Sequence, residues 1–386
     1  MPEVFVISNC KLVGSPPESE PVSILTEDGI IRKIGRGEKL ASRGALDAEG
    51  RIICPGFIDV HIQGAGGADV LDGTDSSLRT IARTLPRFGT TGFLATTVFK
   101  HGCDNPHLAI TARNVGRNLG GAHLLGIHLE GPFISMERRG MISPECISEP
   151  STQALDEILG LTKGTLKIMT IAPELPGSLH IIQRLVQSSI IASFGHSNAT
   201  YEETLKGFEA GISHVTHLFN AMPSLHHRAP GPLLAIFKAG GPSVQIIPDG
   251  VHLHPRILKF IFDIITIHRC ITISDGMQAL GLPDGAYVYD GKKYESRKGT
   301  ARYLDGTLIG TTMGLIQLVL LLMEYTDFSL EVAIQTITEN PARLLGIDDR
   351  KGSIAVGKDA DFVILDHDYS VWVTIAGGRI VYRKII

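Results

Sequence analysis

Two histidines, His196 and His217, stand 21 residues apart, and each closes an apolar run. Ile190-Ile191-Ala192-Ser193-Phe194-Gly195 leads into the first and Ile212-Ser213-His214-Val215-Thr216 into the second, while Tyr201 to Phe208 between them reads as helix. Strand, helix and strand at this spacing put both imidazoles at the C-terminal edge of neighbouring parallel strands. One histidine in such a place is explained by capping its strand and hydrogen-bonding in the loop. Two in register argue for a shared divalent metal.

Other apolar runs end in groups of the same kind: Asp59-Val60-His61-Ile62-Gln63, Glu130-Gly131, Asp249-Gly250-Val251-His252 and Ser274-Asp275-Gly276. An Asp before Gly is ordinarily a turn residue, so any one of these has a bland explanation. As a set they form one polar rim. A Glu with two His gives three protein ligands and leaves a coordination position open for water, the arrangement of a catalytic rather than a structural metal site.

The elements that must carry this rim can be read from the same runs. Between Gly56 and Asp348 the pattern alternates strand with helix, and eight parallel strands are predicted: 57–63, 91–97, 124–130, 166–173, 190–196, 214–220, 244–249 and 270–275. Helical patterns lie between, at 78–88, 155–161, 181–186 and 256–265. Eight β/α units make an α/β fold of the (β/α)8 TIM-like barrel type, in which chemistry sits at the C-terminal strand ends. The first fifty and last forty residues are instead short alternating runs broken by Asp28-Gly29, Glu49-Gly50 and Gly377-Gly378. Neither end has strands enough to hide both faces of a sheet, so residues 1–55 and 349–386 are expected to pair into one small β-sandwich beside the barrel domain of 56–348.

With 386 residues, 43% of them hydrophobic, the chain can bury a large core. A net charge of -4 without charge blocks gives no pull toward nucleic acid or an anionic membrane, so the expected partner is a small molecule. Five scattered cysteines, Cys10, Cys54, Cys103, Cys146 and Cys270, contain no C-x-x-C pair and suggest a reducing, cytoplasmic setting. The start Met1-Pro2-Glu3-Val4 lacks a basic signal-peptide region, and the apolar run from Leu315 to Met323 is too short to span a bilayer.

Several of these segments carry a family resemblance: Pro55-Gly56-Phe57-Ile58-Asp59-Val60-His61, His128-Leu129-Glu130-Gly131-Pro132-Phe133, Gly195-His196-Ser197, Thr216-His217-Leu218-Phe219-Asn220-Ala221-Met222, Asp249-Gly250-Val251-His252 and Asp275 with Ala279-Leu280-Gly281. Together they resemble the N-acetylglucosamine-6-phosphate deacetylases of the amidohydrolase superfamily. The resemblance implies that Glu130, His196 and His217 bind one divalent ion, either zinc or iron, cobalt or manganese in its place. It implies that Asp275 is the catalytic acid and base, and that Asn220, Ala221 and His252 contact the substrate. It further implies that Arg228 grips the phosphate across the interface of a homodimer. The implied reaction is removal of the acetyl group from N-acetyl-D-glucosamine 6-phosphate. The alternatives are another N-acetylated amino sugar such as N-acetylgalactosamine 6-phosphate, or a catalytically silent barrel.

Two departures from the family pattern matter. His61-Ile62-Gln63 has an amide where two-metal relatives have a second histidine, which leaves His61 as a remnant of a second site and predicts one ion per subunit. After Arg138-Arg139-Gly140, Met141-Ile142 stands where many members have a histidine that polarises the acetyl carbonyl. Ile142 therefore leaves a gap, for which His226, His227 and an exposed Ser135 are the candidate substitutes.

Overall fold

The computed structural model describes residues 3–37 and 45–385. Its centre is a parallel sheet of Phe57–Ile62, Thr90–Thr97, His123–Glu130, Leu166–Ile171, Ile191–Phe194, His214–Val215, Ser243–Ile246 and Cys270–Thr272, each paired with the next in chain order. The ring closes between the first and eighth strands. Asp275 donates its backbone N–H to His61 O (3.0 Å), and Gln63 and Gly64 donate theirs to Gly276 O (3.0 Å each). Closure thus brings the polar end of the first strand against that of the eighth. All eight predicted strands are present, several cut short where the chain turns into the rim.

Helices such as Asp75–Thr84, Ser178–Gln187 and Pro255–Ile264 bury one apolar face each. The helix Tyr201–Ala210, which separates the two rim histidines, starts where it does because of a capping box. Thr200 Oγ1 accepts the Glu203 N–H (3.2 Å), and Glu203 Oε2 accepts the Thr200 N–H (2.8 Å).

Inside the barrel, next to the rim, the wall is polar and carries a hydrogen-bond network. His128 Nδ1 donates to Val60 O (3.0 Å), His128 Nε2 meets Thr170 Oγ1 (2.9 Å), and the hydroxyls of Thr170 and Ser193 both meet Thr216 Oγ1 (2.8 and 2.6 Å). Ile58, Val60, Leu94, Ile168 and Ile271 of the same strands form an apolar cluster with Ile247 and Ile273, which directly follow the seventh and eighth.

Both chain ends do share one sheet system. Its path runs Arg379–Arg383, Val371–Ala376, Phe362–Leu365, Ile52–Pro55, Val4–Leu12, Val22–Glu27 and Ile30–Arg36, with Ala45–Asp47 also on Val4–Leu12. Ile7, Ile24, Ile31 and Ile53 from one end pack with Phe362, Ile364, Trp372 and Ile375 from the other in a single core. Of the terminal segments assigned to this sandwich, residues 1, 2, 38–44 and 386 lie outside the described residues.

One element was not anticipated. After the eighth strand comes an antiparallel sheet of Gly285–Tyr289, Lys292–Arg297, Thr300–Tyr303 and Leu308–Thr311. Its first two turns place consecutive residues at positive φ, Asp290 and Gly291 (45° and 75°) and Lys298 and Gly299 (49° and 82°), as tight hairpins require. Among the described residues no helix is long and apolar enough to cross a membrane.

Candidate metal centre and active site

Glu130 ends the third barrel strand, and His196 and His217 follow the fifth and sixth. Their ligand atoms form a triangle: Glu130 Oε1 is 3.2 Å from each Nε2, and the two Nε2 atoms are 3.0 Å apart. Atoms bound tetrahedrally to one ion at about 2.0–2.1 Å would lie roughly 3.3 Å from each other. All three residues are buried. Two imidazole lone pairs facing each other and a carboxylate across 3 Å repel unless a cation or proton sits among them. The donor set therefore fits a divalent ion, and it is the one cluster of potential metal ligands among the described residues.

The surroundings fix the direction of the His196 lone pair. His196 Nδ1 donates to the carbonyl oxygen of Arg138 (2.9 Å), so its Nε2 is the unprotonated nitrogen. The loop behind it is tied down by Glu174, which accepts Ser197 Oγ–H (2.7 Å) and the Asn198 N–H (2.6 Å). Gly195 is needed for close approach, because a Cβ there would lie 2.7 Å from Thr170 Cγ2 and 2.9 Å from Thr216 Cβ. His196, His217, Phe219, Ala221 and Asp275 all hold positive φ (47°, 25°, 75°, 52° and 47°), backbone strain of the kind that collects at functional sites. Burial alone would raise the Glu130 carboxyl, but His61, His196 and His217 around it hold it well below the usual carboxylate range.

His61 and Asp275 flank the triangle. His61 Nδ1 donates to Gln245 Oε1 (3.0 Å), and its Nε2 lies 3.3 Å from Asp275 Oδ1 and 3.5 Å from Glu130 Oε2. Burial opposes protonation of His61, yet these two carboxylates lift it to about 9. A cation at Glu130 offsets that charge and favours the neutral ring. Gln63 places its amide Nε2 against both His61 Nε2 (3.3 Å) and Asp275 Oδ1 (3.1 Å), so a donor group stands where a second ion would need a ligand. Gln245 was missed from the sequence. It is a buried amide between Val244 and Ile246, and its Oε1 also accepts the His217 backbone N–H (3.2 Å).

These groups open on a cleft lined by Glu130, His196, His217, Asp275, Gln63 and His252 together with Asn220, Ala221, Gly140, Met141, Leu308 and Ile309. The unanticipated sheet thus supplies part of the wall. Arg228 is not among the lining residues. It lies on an exposed loop with its Nη1 2.7 Å from His227 Nε2, and His226 and His227 are exposed with it. Ile142 does not face the cleft either. It packs with Val98, Ile134 and Cys146 in a small apolar cluster, and Met141 takes the cleft-facing place. Ser135 is buried, 6% exposed, where the sequence reading had it exposed, and its N–H bonds to His196 O (2.8 Å).

Three convergent potential metal ligands and a neighbouring carboxylate at the C-terminal rim of a parallel barrel are the arrangement of a metal-dependent hydrolase. The sequence matches the amidohydrolase family over residues 52–382, and the chain belongs to that family. Within it, the chain falls among the N-acetylglucosamine-6-phosphate deacetylases and their kin. It is 39% identical to the N-acetylglucosamine-6-phosphate deacetylase of Bacillus subtilis (strain 168) over 86% of this chain and 85% of that protein. It is 34% identical to the N-acetylgalactosamine-6-phosphate deacetylase of Escherichia coli O157:H7 over 85% and 87%. A solved variant of N-acetyl-D-glucosamine-6-phosphate deacetylase from Mycobacterium smegmatis, in complex with N-acetyl-D-glucosamine-6-phosphate, superposes with a TM-score of 0.88 at 30% identity, covering 98% of this chain and 99% of that one.

Proposed function

We propose that this chain hydrolyses N-acetyl-D-glucosamine 6-phosphate to glucosamine 6-phosphate and acetate. The observation that carries the reading is the buried triangle of Glu130, His196 and His217 in one cleft with Asp275. Those three residues would hold one divalent ion per subunit, zinc in this reading, which would supply Lewis acidity and lower the pKa of a bound water toward neutrality. Asp275, as a carboxylate, takes a proton from the attacking water and returns it to the departing amine nitrogen, so amide and water give amine and acetate in balance. Gln63 orients Asp275 through its amide. Asn220, Ala221 and His252 hold the sugar. Arg228, exposed and outside its own chain's cleft, serves the phosphate in the neighbouring subunit's site of a homodimer.

The same reading divides the chain into a sandwich of 1–55 with 349–386 and a catalytic barrel of 56–348, working in the cytoplasm. The galacto epimer is the second reading, favoured by the Escherichia coli relative at 34% identity. Acetate release from the two epimeric sugar phosphates, measured beside metal content, decides between them. Turnover of the gluco form at least tenfold above the galacto form is the expected result. The reverse order moves the assignment to the galacto form, and no release from either rejects both.

A further inference from the structure

His252 lines the cleft with its side chain buried, and its orientation is set by one neighbour. Its Nδ1 is 2.6 Å from Asp249 Oδ2, and the Asp249 side chain is fully buried. The other oxygen, Asp249 Oδ1, already accepts two backbone N–H groups, those of Val251 (2.9 Å) and His252 (2.7 Å). A carboxylate with donors on both oxygens accepts from Nδ1–H, and the proton of the neutral ring is then fixed on that side. Nε2 faces the cleft, 3.8 Å from Asp275 Oδ2. That gap is too long for a direct hydrogen bond, yet one substrate atom about 2.8 Å from each would span it.

We propose that Asp249 is a positioning residue acting through His252: it holds the imidazole as the Nδ1–H tautomer, so that Nε2 offers a lone pair to an N–H or O–H donor of the substrate beside Asp275. The inference rests on the deacetylase reading for the identity of that substrate, but not for the tautomer. In this arrangement His252 selects for a hydrogen-bond donor and against an oxygen anion at that point of the cleft. It also holds the bound donor where Asp275 reaches the same part of the molecule.

Asp249→Asn is the informative variant. The two backbone N–H groups keep the amide oxygen at the Oδ1 position, so the NH2 must face His252 Nδ1, which becomes an acceptor and moves the ring proton to Nε2. The loop keeps its hydrogen bonds while the lone pair in the cleft is replaced by a donor. Imidazole nitrogen NMR of the zinc-loaded protein, at about pH 8.5 where an unperturbed ring is neutral, reads the tautomer, and the His252 signals are assigned by their loss in His252→Gln. The wild type should show Nδ1–H with bare Nε2, and Asp249→Asn the reverse. Nε2–H in the wild type, alone or with Nδ1–H, overturns the proposal whether or not the sugar is hydrolysed. In kinetics with N-acetylglucosamine 6-phosphate, Asp249→Asn should lose about 10- to 100-fold in kcat/KM. The same change made in His252→Ala should add less than about twofold, because nothing is left to position. A full, additive loss in that background shows that Asp249 serves only the loop and equally overturns the proposal. An inert wild type with the expected tautomers would instead fault the substrate reading alone.

Discussion

Gln63 donates its side-chain amide to Asp275 Oδ1 over 3.1 Å, with the same nitrogen 3.3 Å from His61 Nε2. The amide thus links His61 to the proposed proton carrier. Gln63→Ala should leave the bound ion in place and lower kcat by about tenfold through a looser Asp275. Gln63→His replaces a donor with a ligand nitrogen and should raise the metal content of saturated protein from one ion toward two. Unchanged kcat in the first variant and a single ion in the second would together remove any role for this amide.

Ile142 packs among Val98, Ile134 and Cys146, so an imidazole introduced there enters apolar surroundings. Ile142→His should cost about 1–3 kcal/mol of stability and bring no gain in kcat. Met141→His, by contrast, puts the ring in the cleft, where it can reach a developing oxyanion. Thermal unfolding and kcat of the two variants separate the positions. A rise in kcat with Ile142→His at unchanged Tm would show that the loop can present residue 142 to the substrate.

The Ile142 case shows where the sequence is legible and where it stops. The barrel was readable because its strands are short apolar runs and most of them end in a polar group at the point where the ring opens to solvent. His196, His217, Glu130 and Asp275 could be named for that reason, and the structure brings them together. Which of Met141 and Ile142 faces inward depends on how a short loop packs against Val98 and Ile134, contacts distant in sequence that no local pattern encodes. Gln245 was hidden by its strand, since a single amide between Val244 and Ile246 carries no periodic signal. The sheet from Gly285 to Thr311 did carry one, in Asp290-Gly291 and Asp305-Gly306, but eight β/α units had already accounted for the barrel.

Arg228 is exposed and outside the cleft of its own chain. If it serves the phosphate of a neighbouring subunit's substrate, Arg228→Ala should raise KM for the phosphorylated sugar by roughly 30- to 1000-fold, equivalent to about 2–4 kcal/mol. The rate with the unphosphorylated sugar should hardly change. Mixing Arg228→Ala with inactive Asp275→Asn protein should restore sites that have both groups. Equal effects on both sugars, or no restoration on mixing, would sink the shared-site role.

Asp69 caps the turn Val70–Asp72 by accepting the Leu71 N–H (2.8 Å). Burial, with Asp72 and Asp290 nearby, pushes its carboxyl up to about 8. In the unfolded chain the group ionises near pH 4. Because the folded pKa is the higher one, its contribution to stability is full below about pH 4 and is lost as pH rises toward 8. Asp69→Asn keeps the capping oxygen and cannot titrate, so its Tm should fall less than that of the wild type between pH 4 and 8. Parallel Tm curves for the two proteins would contradict this.

In the proposed mechanism one ion held by Glu130, His196 and His217 and one proton carrier, Asp275, perform the hydrolysis. Its most direct test is the rate of acetate release from N-acetylglucosamine 6-phosphate by Asp275→Asn, with metal content determined on the same sample. Asn is isosteric and cannot carry the proton. The expected result is one ion per subunit, as in the wild type, and a kcat lower by about 10² to 10⁴ with KM nearly unchanged. Near-normal turnover by a metal-loaded Asp275→Asn protein would contradict it.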